Sequence, residues 1–560
     1  MPVLKFKFER LRDLIEVAGP EELEDVAFRL KGEVEWGGDG YVYIELNPDR
    51  PDMYIGEGFA RAARGLLGVE RGYSRPEARA SGVEVIAGEV HSRPYIAAAV
   101  VYNVNVDEDY LEELVQFQEK LHDTLGRRRR KAAIGFHDLA KLPSRVVRYE
   151  LVDVKDARMK PLHHDAEMTV AEVLESTEQG ERYGSIALME GRHPALIAGD
   201  EIIAVPPVIN SDITRVEPGT RDLFIDVTGT DRATVLNVLE VIVAGLAERP
   251  GARVGLVAVR APGFEGETPR LQTRILELKS SWASRVLGVE VGAGELARLL
   301  ERARHNASAG EDGDTVRVEV PPYRVDVLAP IDLVEDAAMM MGYEALIPEP
   351  PRLRTRGGLD GLTMLSRTLR LLAVGLGFTE VMQLVLTSPR AVEALGAADR
   401  VLAVANPVQA EYSVVRPCIA VSLLQFLAEN QHAAKPVKVF EIGEVAWREG
   451  GDVVEEHRAG LAFMSDEASF EDIQGPLYSI LRILGEPFEP EEARIPWAIP
   501  GRAAVLRRPS DGGVIAWLGE VHPRVLESMG IEYPVALAEL SLSELAGGLG
   551  RFRTRGRGTP

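Results

Sequence analysis

The chain has 560 residues, 46% of them hydrophobic and 27% charged, an ordinary globular composition whose length predicts roughly three to four domains. Its 87 acidic residues against 64 basic ones leave a net charge of −23, which excludes a general nucleic-acid coat and confines RNA contact to a local patch or a partner. A single cysteine, Cys418, permits neither an intrachain disulfide nor a thiolate metal cluster; no apolar run approaches the ~20 residues of a membrane helix, so the expectation is a soluble cytoplasmic protein with no membrane partner.

Residues 1–90 form the first predicted domain. RDLIEVAG (12–19) reads as a helix closed by Gly19, YVYIEL (41–46) alternates as a strand, and NPDRPD (47–52) forces a turn. YIGEGFARAARGLLG (54–68) reads as a helix stopped by Gly68, and RGYSRPEARASG (71–82) as a linker. The second block, 91–267, holds a helix at 110–126, the basic run RRRRK (127–131) and a strand at 132–139. Strand-and-turn segments at 201–212 and 222–231 follow, then a helix at 233–249 stopped by Pro250 and Gly251. In the third block, 268–347, VRVEV (316–320) alternates as a strand, Pro321 and Pro322 end it, and RVDVL (324–328) can resume it. PEPPRLRTRGG (348–358) is a connector, 359–547 alternates helices and strands, and 548–560 is a basic tail. The whole is mixed α+β and multidomain, and without a period of ~20–50 residues it is neither solenoid nor propeller.

The sharpest chemical constellation is VPPYRVDVLAPIDLVEDAAMMMGY (320–343). Pro330 suits a helix start, and Asp332, Glu335 and Asp336 then share one face, with Asp326 just upstream. Four carboxylates without His or Cys suit a hard cation such as Mg²⁺; the competing reading is that acids in a first helical turn complement the helix dipole. No GxxxxGK[ST], HExxH, GxSxG or CxxC motif occurs. His163 and His164 read as exposed loop residues, and RRRRK as a solvated patch or a contact for a phosphate backbone.

Several segments resemble the beta subunit of phenylalanine–tRNA ligase, in that family's order and over nearly the whole chain. NPDRPDMYIGEGFARAARGLLG (47–68) is similar to the family's N-terminal signature, and QEKLHDTLGRRRRKAAIGFHDL (118–139) to its Q-E-K-L-H…I-G-x-H-D-L segment. The carboxylate segment resembles its metal-carboxylate domain, and NPVQAEYSVVRPCIAVSLLQFLAENQHAAKPVKVFEIGEV (406–445) its catalytic-like module. PGRAAVL (500–506) and WLGEVHPRVLESMGI (517–531) match its closing segment, and the length fits the archaeal and eukaryotic branch.

The resemblance implies an (αβ)₂ assembly with an alpha subunit, which attaches phenylalanine to tRNA(Phe) using ATP and Mg²⁺. It implies that Asp326, Asp332, Glu335 and Asp336 hold that ion, and that 359–547 folds like a class II synthetase core. That core needs an arginine after a strand for the ATP α-phosphate. The strand VKVFEIGEV (437–445) lacks one, Arg448 comes after its end, and no G-x-G-x-x-R pattern follows. Adenylation is therefore expected of the alpha subunit. The second block resembles the family's editing domain, which hydrolyses tyrosine wrongly attached to the tRNA. Ser211, Asp226 and Asp231 are the expected contacts, although Asn210–Ser211–Asp212 and Gly229–Thr230–Asp231 also read as ordinary turns. The alternative is an RNA-binding assembly scaffold without hydrolysis.

Overall fold

The computed structural model describes residues 1–351 and 355–548 and divides into two compact units, Met1–Pro350 and Pro351–Pro560. Part of the expected connector (352–354) and all of the basic tail after Gly548 lie outside the described residues.

In the first unit, Val3–Lys7, Tyr41–Leu46 and Gly32–Trp36 form an antiparallel sheet with Tyr41–Leu46 in the centre. Leu4, Phe6, Val42, Ile44 and Leu46 are buried at alternate positions, as the period-2 pattern of a one-sided sheet requires. The helix Gly56–Leu67 is buried along nearly all its length, with Gly68 in the left-handed conformation as its cap. The expected helix at 12–19 instead runs over Phe8–Ile15, because Glu16 takes the left-handed cap at φ 68° and its N–H donates to Arg12 O.

The middle of this unit is a ten-stranded sheet, nine strands along one path and Phe264–Thr268 paired with Arg253–Ala261 off it. Its path runs from Ile209–Asn210 through Glu201–Val205, Arg192–Ala198, Val146–Asp153, Ala78–Ala87, Arg253–Ala261, Tyr95–Tyr102 and Leu223–Gly229 to the edge strand Ala132–Asp138. The expected linker at 71–82 is thus only partly a linker: from Ala78 it is strand, parallel to both of its neighbours. Along Leu223–Gly229 the residues alternate. Leu223, Ile225 and Val227 join the core that includes the helix Arg232–Leu246, while Phe224, Asp226 and Thr228 take the opposite face.

A smaller antiparallel sheet (Arg274–Lys279, Thr315–Val320, Asn306–Ala309) and the helix Pro330–Met341 complete the unit. RVDVL (324–328) does not resume the strand. The chain turns at Pro321, whose carbonyl accepts from Arg324 N at 3.1 Å, and the Arg324 side chain is buried. Its guanidinium lies 2.7 Å from Asp326 Oδ2 and 2.8 Å from Asp336 Oδ2. His305 Nε2 carries the proton it shares with Asp336 at 2.7 Å, since an ionised carboxylate only accepts. Nearby, Arg50 makes a two-pronged pair with Asp52 at 2.8 and 2.9 Å; Arg61 adds a 3.3 Å contact to Asp52 and stacks 3.6 Å from the Tyr323 ring. Gly58 is required here because a Cβ would overlap the Asp52 carbonyl.

The second unit is built on a seven-stranded sheet in the order Thr379–Glu380, Val437–Glu449, Asp452–Met464, Val535–Ser541, Val514–Val521, Ala498–Arg507, Glu489–Glu492. Both faces are covered. Ala459 and Leu461 pack with residues of the helices Gly361–Gly375 and Phe470–Leu484, while Ala462 and Met464 pack with those of Ile419–Glu429.

Burial opposes ionisation of Asp52, but Arg50 and Arg61 outweigh it and hold the carboxyl down at about 2; Asp336, beside Arg324 and His305, is likewise held below the usual range. Depressed carboxyls contribute stability that is present above their unfolded pKa and lost as the pH falls through the folded one. Asp52 alone accounts for on the order of 2 kcal/mol, lost between about pH 4 and pH 2. Arg324→Ala, which leaves Asp326 and Asp336 without their cation, is expected to destabilise the first unit by about 3–5 kcal/mol at pH 7. Denaturant melts at pH 7 and pH 3 check it: the deficit should shrink at low pH, where those carboxylates are protonated in the unfolded chain.

Candidate functional site

A cavity of about 410 Å³ opens at the free edge of the strand Ala132–Asp138. One wall is the helix Glu108–Asp123, started by Asp107, whose side chain accepts from Tyr110 N; another is the segment around Pro206–Ser211. An edge strand exposes unpaired backbone groups, and here side chains satisfy them. Ile134 N donates to His122 Nε2 at 2.8 Å, Ile134 O accepts from Gln118 at 2.7 Å, and Phe136 O accepts from Asn210 at 3.0 Å. With Nε2 accepting, His122 Nδ1 carries the proton shared with Glu119 at 3.1 Å, and burial keeps this imidazole neutral by lowering its pKa.

Asp226 lines the cavity and is 1% exposed. Its Oδ1 lies 2.9 Å from His137 Nε2, and His137 Nδ1 lies 2.7 Å from Thr214 Oγ1. Its other oxygen makes no hydrogen bond to the described residues. The register explains the meeting: Asp226 lies opposite Gly135, and His137 is two residues on, on the same face. Gly135 cannot carry a side chain, because a Cβ would overlap Asp226 Oδ1. The chain Thr214–His137–Asp226 therefore fixes a buried carboxylate at the wall of a cavity lined by both polar and apolar side chains.

Ser211 lines the same cavity, but its hydroxyl donates to Lys160 O at 2.9 Å and accepts from Ile213 N. Asp231 does not line it. It caps the helix Arg232–Leu246, accepting from Thr234 N at 2.8 Å and Thr234 Oγ1 at 2.6 Å, bonds that lower its pKa. The turn reading wins at that position. His163 is exposed, as expected, and His164 is half-buried; both lie at the lining of the cavity. Sequence reading assigned no role to His137, Thr214, Gln118 or Asn210. The available signal was the period-2 alternation of AAIGFHD and FIDVTG, which puts Gly135 with His137 and Asp226 with Thr228; the ladder then brings both sets to the same face of the sheet.

The run RRRRK forms the turn between the helix and the edge strand. Arg127, Arg128 and Arg129 are consecutive left-handed residues, at φ 47°, 54° and 63°, each costing about 1 kcal/mol for a residue with a Cβ. Arg129 faces the cavity, donating to Pro207 O, Val208 O and Glu119 at 3.1, 2.9 and 2.7 Å and stacking on Tyr183. Burial disfavours the Glu119 carboxylate, but His122 and Arg129 outweigh it and hold its pKa at about 2.

Asp326, Asp332, Glu335 and Asp336 do not converge on one point in this structure. Asp326 and Asp336 share the Arg324 guanidinium, a resident cation that a divalent ion would have to displace. Asp332 caps its own helix, accepting from Leu328 N and Ala329 N at 2.7 and 2.8 Å, and Glu335 reaches outward to Lys31 at 2.8 Å. Among the described residues no group of three or more His, Cys, Asp or Glu is placed to hold a metal. One helical face gave the spacing, but capping and Arg324 took up the oxygens.

In the second unit, the strand expected at 437–445 runs on to Glu449, so Arg448 lies within it rather than after it, at the exposed end of the hairpin beside Gly450 and Gly451. The inward arginines each have a carboxylate: Arg416 with Glu441 at 2.5 Å, Arg458 with Glu456 and Glu539 at 2.5 and 2.9 Å. Met382, Leu384, Val385, Leu386, Val408 and Tyr412 are exposed apolar or aromatic residues near the small sheet Leu386–Thr387, Val414–Val415, Leu402–Ala403.

Family models place the chain among the subunits of aminoacyl-tRNA synthetases: the tRNA synthetase B5 domain matches residues 276–343, and the phenylalanyl tRNA synthetase beta chain CLM domain matches 347–542. The chain is 53% identical to the phenylalanine–tRNA ligase beta subunit of Aeropyrum pernix over 98% of its length and 99% of that protein. It is 39% identical to the one from Saccharolobus solfataricus, over 94% and 96%. A solved N-terminal fragment of the Pyrococcus horikoshii phenylalanyl-tRNA synthetase beta subunit is matched in full by 61% of this chain, at 33% identity and a TM-score of 0.58. The chain belongs to the phenylalanine–tRNA ligase beta-subunit family. No helix among the described residues is long and apolar enough to cross a membrane.

Because Arg324 already serves as the cation for Asp326 and Asp336, removing divalent ions with EDTA is expected to leave the thermal midpoint of the isolated chain unchanged within about 1 °C. A calorimetric scan with and without excess Mg²⁺ checks this; a clear Mg²⁺-dependent rise would reinstate these carboxylates as ligands.

Proposed function

We propose that the chain is the non-acylating subunit of a cytoplasmic phenylalanine–tRNA ligase. In this reading it works with an alpha subunit in an (αβ)₂ assembly on ATP, phenylalanine and tRNA(Phe), and its cavity hydrolyses tyrosine wrongly esterified to that tRNA. The observation that carries the hydrolytic part is the buried Asp226, fixed by His137 and Thr214, with one oxygen left open at the cavity wall. An apolar pocket rejects an added hydroxyl only about 10²-fold, so a second site that binds the hydroxyl is the physical remedy. A buried acceptor unpaired when phenylalanine enters costs about 1–3 kcal/mol, which favours tyrosine in this site. Asp226 accepts the phenolic proton or orients the attacking water, and His137 holds the carboxylate in place. The ester is labile and needs no protein nucleophile, which agrees with a Ser211 hydroxyl already committed to Lys160 O.

Adenylation belongs to the alpha subunit in this reading. Phosphate charge needs preorganised, unneutralised cations, and the inward arginines of the second unit are paired. Mg²⁺ then accompanies the ATP phosphates on the partner rather than the carboxylates of 326–336. The exposed Met382, Leu384, Val385 and Val408 supply the apolar surface that a permanent partner would cover.

Purified chain should give no phenylalanine-dependent pyrophosphate exchange, and addition of the alpha subunit should restore it; exchange by the chain alone would assign adenylation here. In the assembled enzyme, Asp226→Ala should slow clearance of tyrosyl-tRNA at least about tenfold while phenylalanine charging stays near normal. Asp231→Ala should cost about 1 kcal/mol of stability and leave clearance unchanged. Undiminished clearance by the Asp226 variant would place the hydrolytic site outside this cavity.

A further inference from the structure

The arginine turn beside the cavity carries more than Arg129. Arg127, Arg128 and Arg130 are exposed, and their guanidiniums have no hydrogen bond, ion pair or ring contact among the described residues. Other exposed arginines of the chain also lack a partner; what sets these three apart is that they lie together in a strained turn next to Arg129, which lines the cavity. Arg127 and Arg128 also occupy left-handed backbone, where glycine would be free of strain.

The turn is rigidly held in that conformation. The fully buried Arg93 donates to Arg129 O at 3.0 Å and to Thr228 O at 2.6 Å, Thr230 Oγ1 donates to Arg130 O at 3.1 Å, and Lys131 N donates to Gly126 O at 2.8 Å. Gly126 must be glycine, since a Cβ would sit 2.6 Å from Ala132 O. Thr228 is two residues along the same strand from Asp226, so Arg93 ties the turn to the strand that supplies the cavity's carboxylate. Strained residues persist where the surroundings over-determine them, and such places are enriched in function. A preorganised turn of unpartnered cations flanking the cavity-lining Arg129 is what a chain of phosphodiesters recognises.

We propose that Arg127, Arg128 and Arg130 bind the phosphodiester backbone of a single RNA strand, positioning its aminoacylated 3′ end in the cavity lined by Asp226. This rests on the hydrolytic reading above and assigns that site its polynucleotide contact. The three are positioning residues; no reacting atom touches them.

The test uses the assembled enzyme carrying Arg127→Gly, Arg128→Gly and Arg130→Ala together. Glycine suits the left-handed backbone, so the variant should melt no lower than the parent, and charge is lost without misfolding. Three measurements follow. The KM for tyrosyl-tRNA in the hydrolytic reaction should rise roughly tenfold at 0.15 M salt with kcat little changed, and the slope of log affinity for a short CCA-ending RNA against log salt should fall by about 2. Hydrolysis of 2′(3′)-O-tyrosyl-adenosine, which has no phosphate, should be the same in variant and parent. A variant with the parent's KM and salt slope would overturn the proposal. So would an equal loss on tyrosyl-adenosine, which would make the turn a structural support for the cavity. Should the parent hydrolyse neither substrate, the editing reading fails, and the salt slope for the CCA-ending RNA still decides the phosphate contact by itself.

Discussion

Charge taken out of water must be matched, and in the first unit that requirement joins segments far apart in the chain. Asp52 sits in the NPDRPD turn, Arg61 on the following helix, and Arg324, Asp326, Asp336 and His305 some 250 or more residues later; all but Asp326 are buried. Burying a matched pair adds little net stability, but removing one partner leaves an uncompensated charge and costs several kcal/mol. Each member therefore rejects any packing in which its partner is misplaced. Close backbone approach accompanies the pairing: Gly65, on the same helix as Arg61, is where the carbonyl of Arg302 comes in. The Arg61–Tyr323 stack ties the two halves of the network together. The same logic bears on Asp326 and Asp336, which share the Arg324 guanidinium, a cation already in the place a divalent ion would take.

The cavity inverts this rule. Arg93 is fully buried without a carboxylate in contact and makes its bonds to carbonyls and to Thr228; burial lowers its pKa to about 10. Asp226 is equally buried and has an imidazole, not an arginine, as its partner. Arg93 and Asp226 are held by carbonyls, a hydroxyl and an imidazole rather than by a full opposite charge, whereas Arg129 at the same cavity is paired with Glu119. Incomplete neutralisation is what a site needs in order to act on something that arrives from outside.

How far the sequence revealed this differs by level. The helix Gly56–Leu67, the strand Tyr41–Leu46 and the helix Arg232–Leu246 were legible to within a few residues, because apolar periodicity and terminal glycine or proline mark them independently of tertiary context. The strand Ala78–Ala87 was hidden by its composition: its first half is largely exposed, so ARASG carries no apolar alternation to read. The carboxylates were the hardest case. Spacing of i, i+3 and i+4 is the same for a ligand set, for a cap such as Asp332, for an internal counter-ion such as Asp336 and for a surface acid such as Glu335. Only the position of the Arg324 guanidinium separates these roles, and that depends on a turn the alternation of RVDVL misrepresented as strand. Asp226 and Asp231 differ in the same way: one faces Gly135 across a ladder, the other faces its own helix.

The second unit shows why a sheet of this type does not revert easily to binding phosphate. Gly443 admits the Arg416 guanidinium against the strand Val437–Glu449, and Gly460 admits Ile419 of the covering helix at a Cβ distance of 2.6 Å. Arg416 is thereby held against Glu441, Ser422 and the Glu444 carbonyl, and Arg458 between Glu456, Glu539 and the rings of Trp447 and Trp517. Freeing either arginine for an anion would mean removing its carboxylate. Until the anion arrived, a buried cation would be left unpaired, a loss of about 3–5 kcal/mol against a total stability of about 5–15. A single substitution in that direction thus costs much of the margin before it supplies any binding. The pairs that hold this sheet to its covering helix therefore also keep both arginines from an incoming anion.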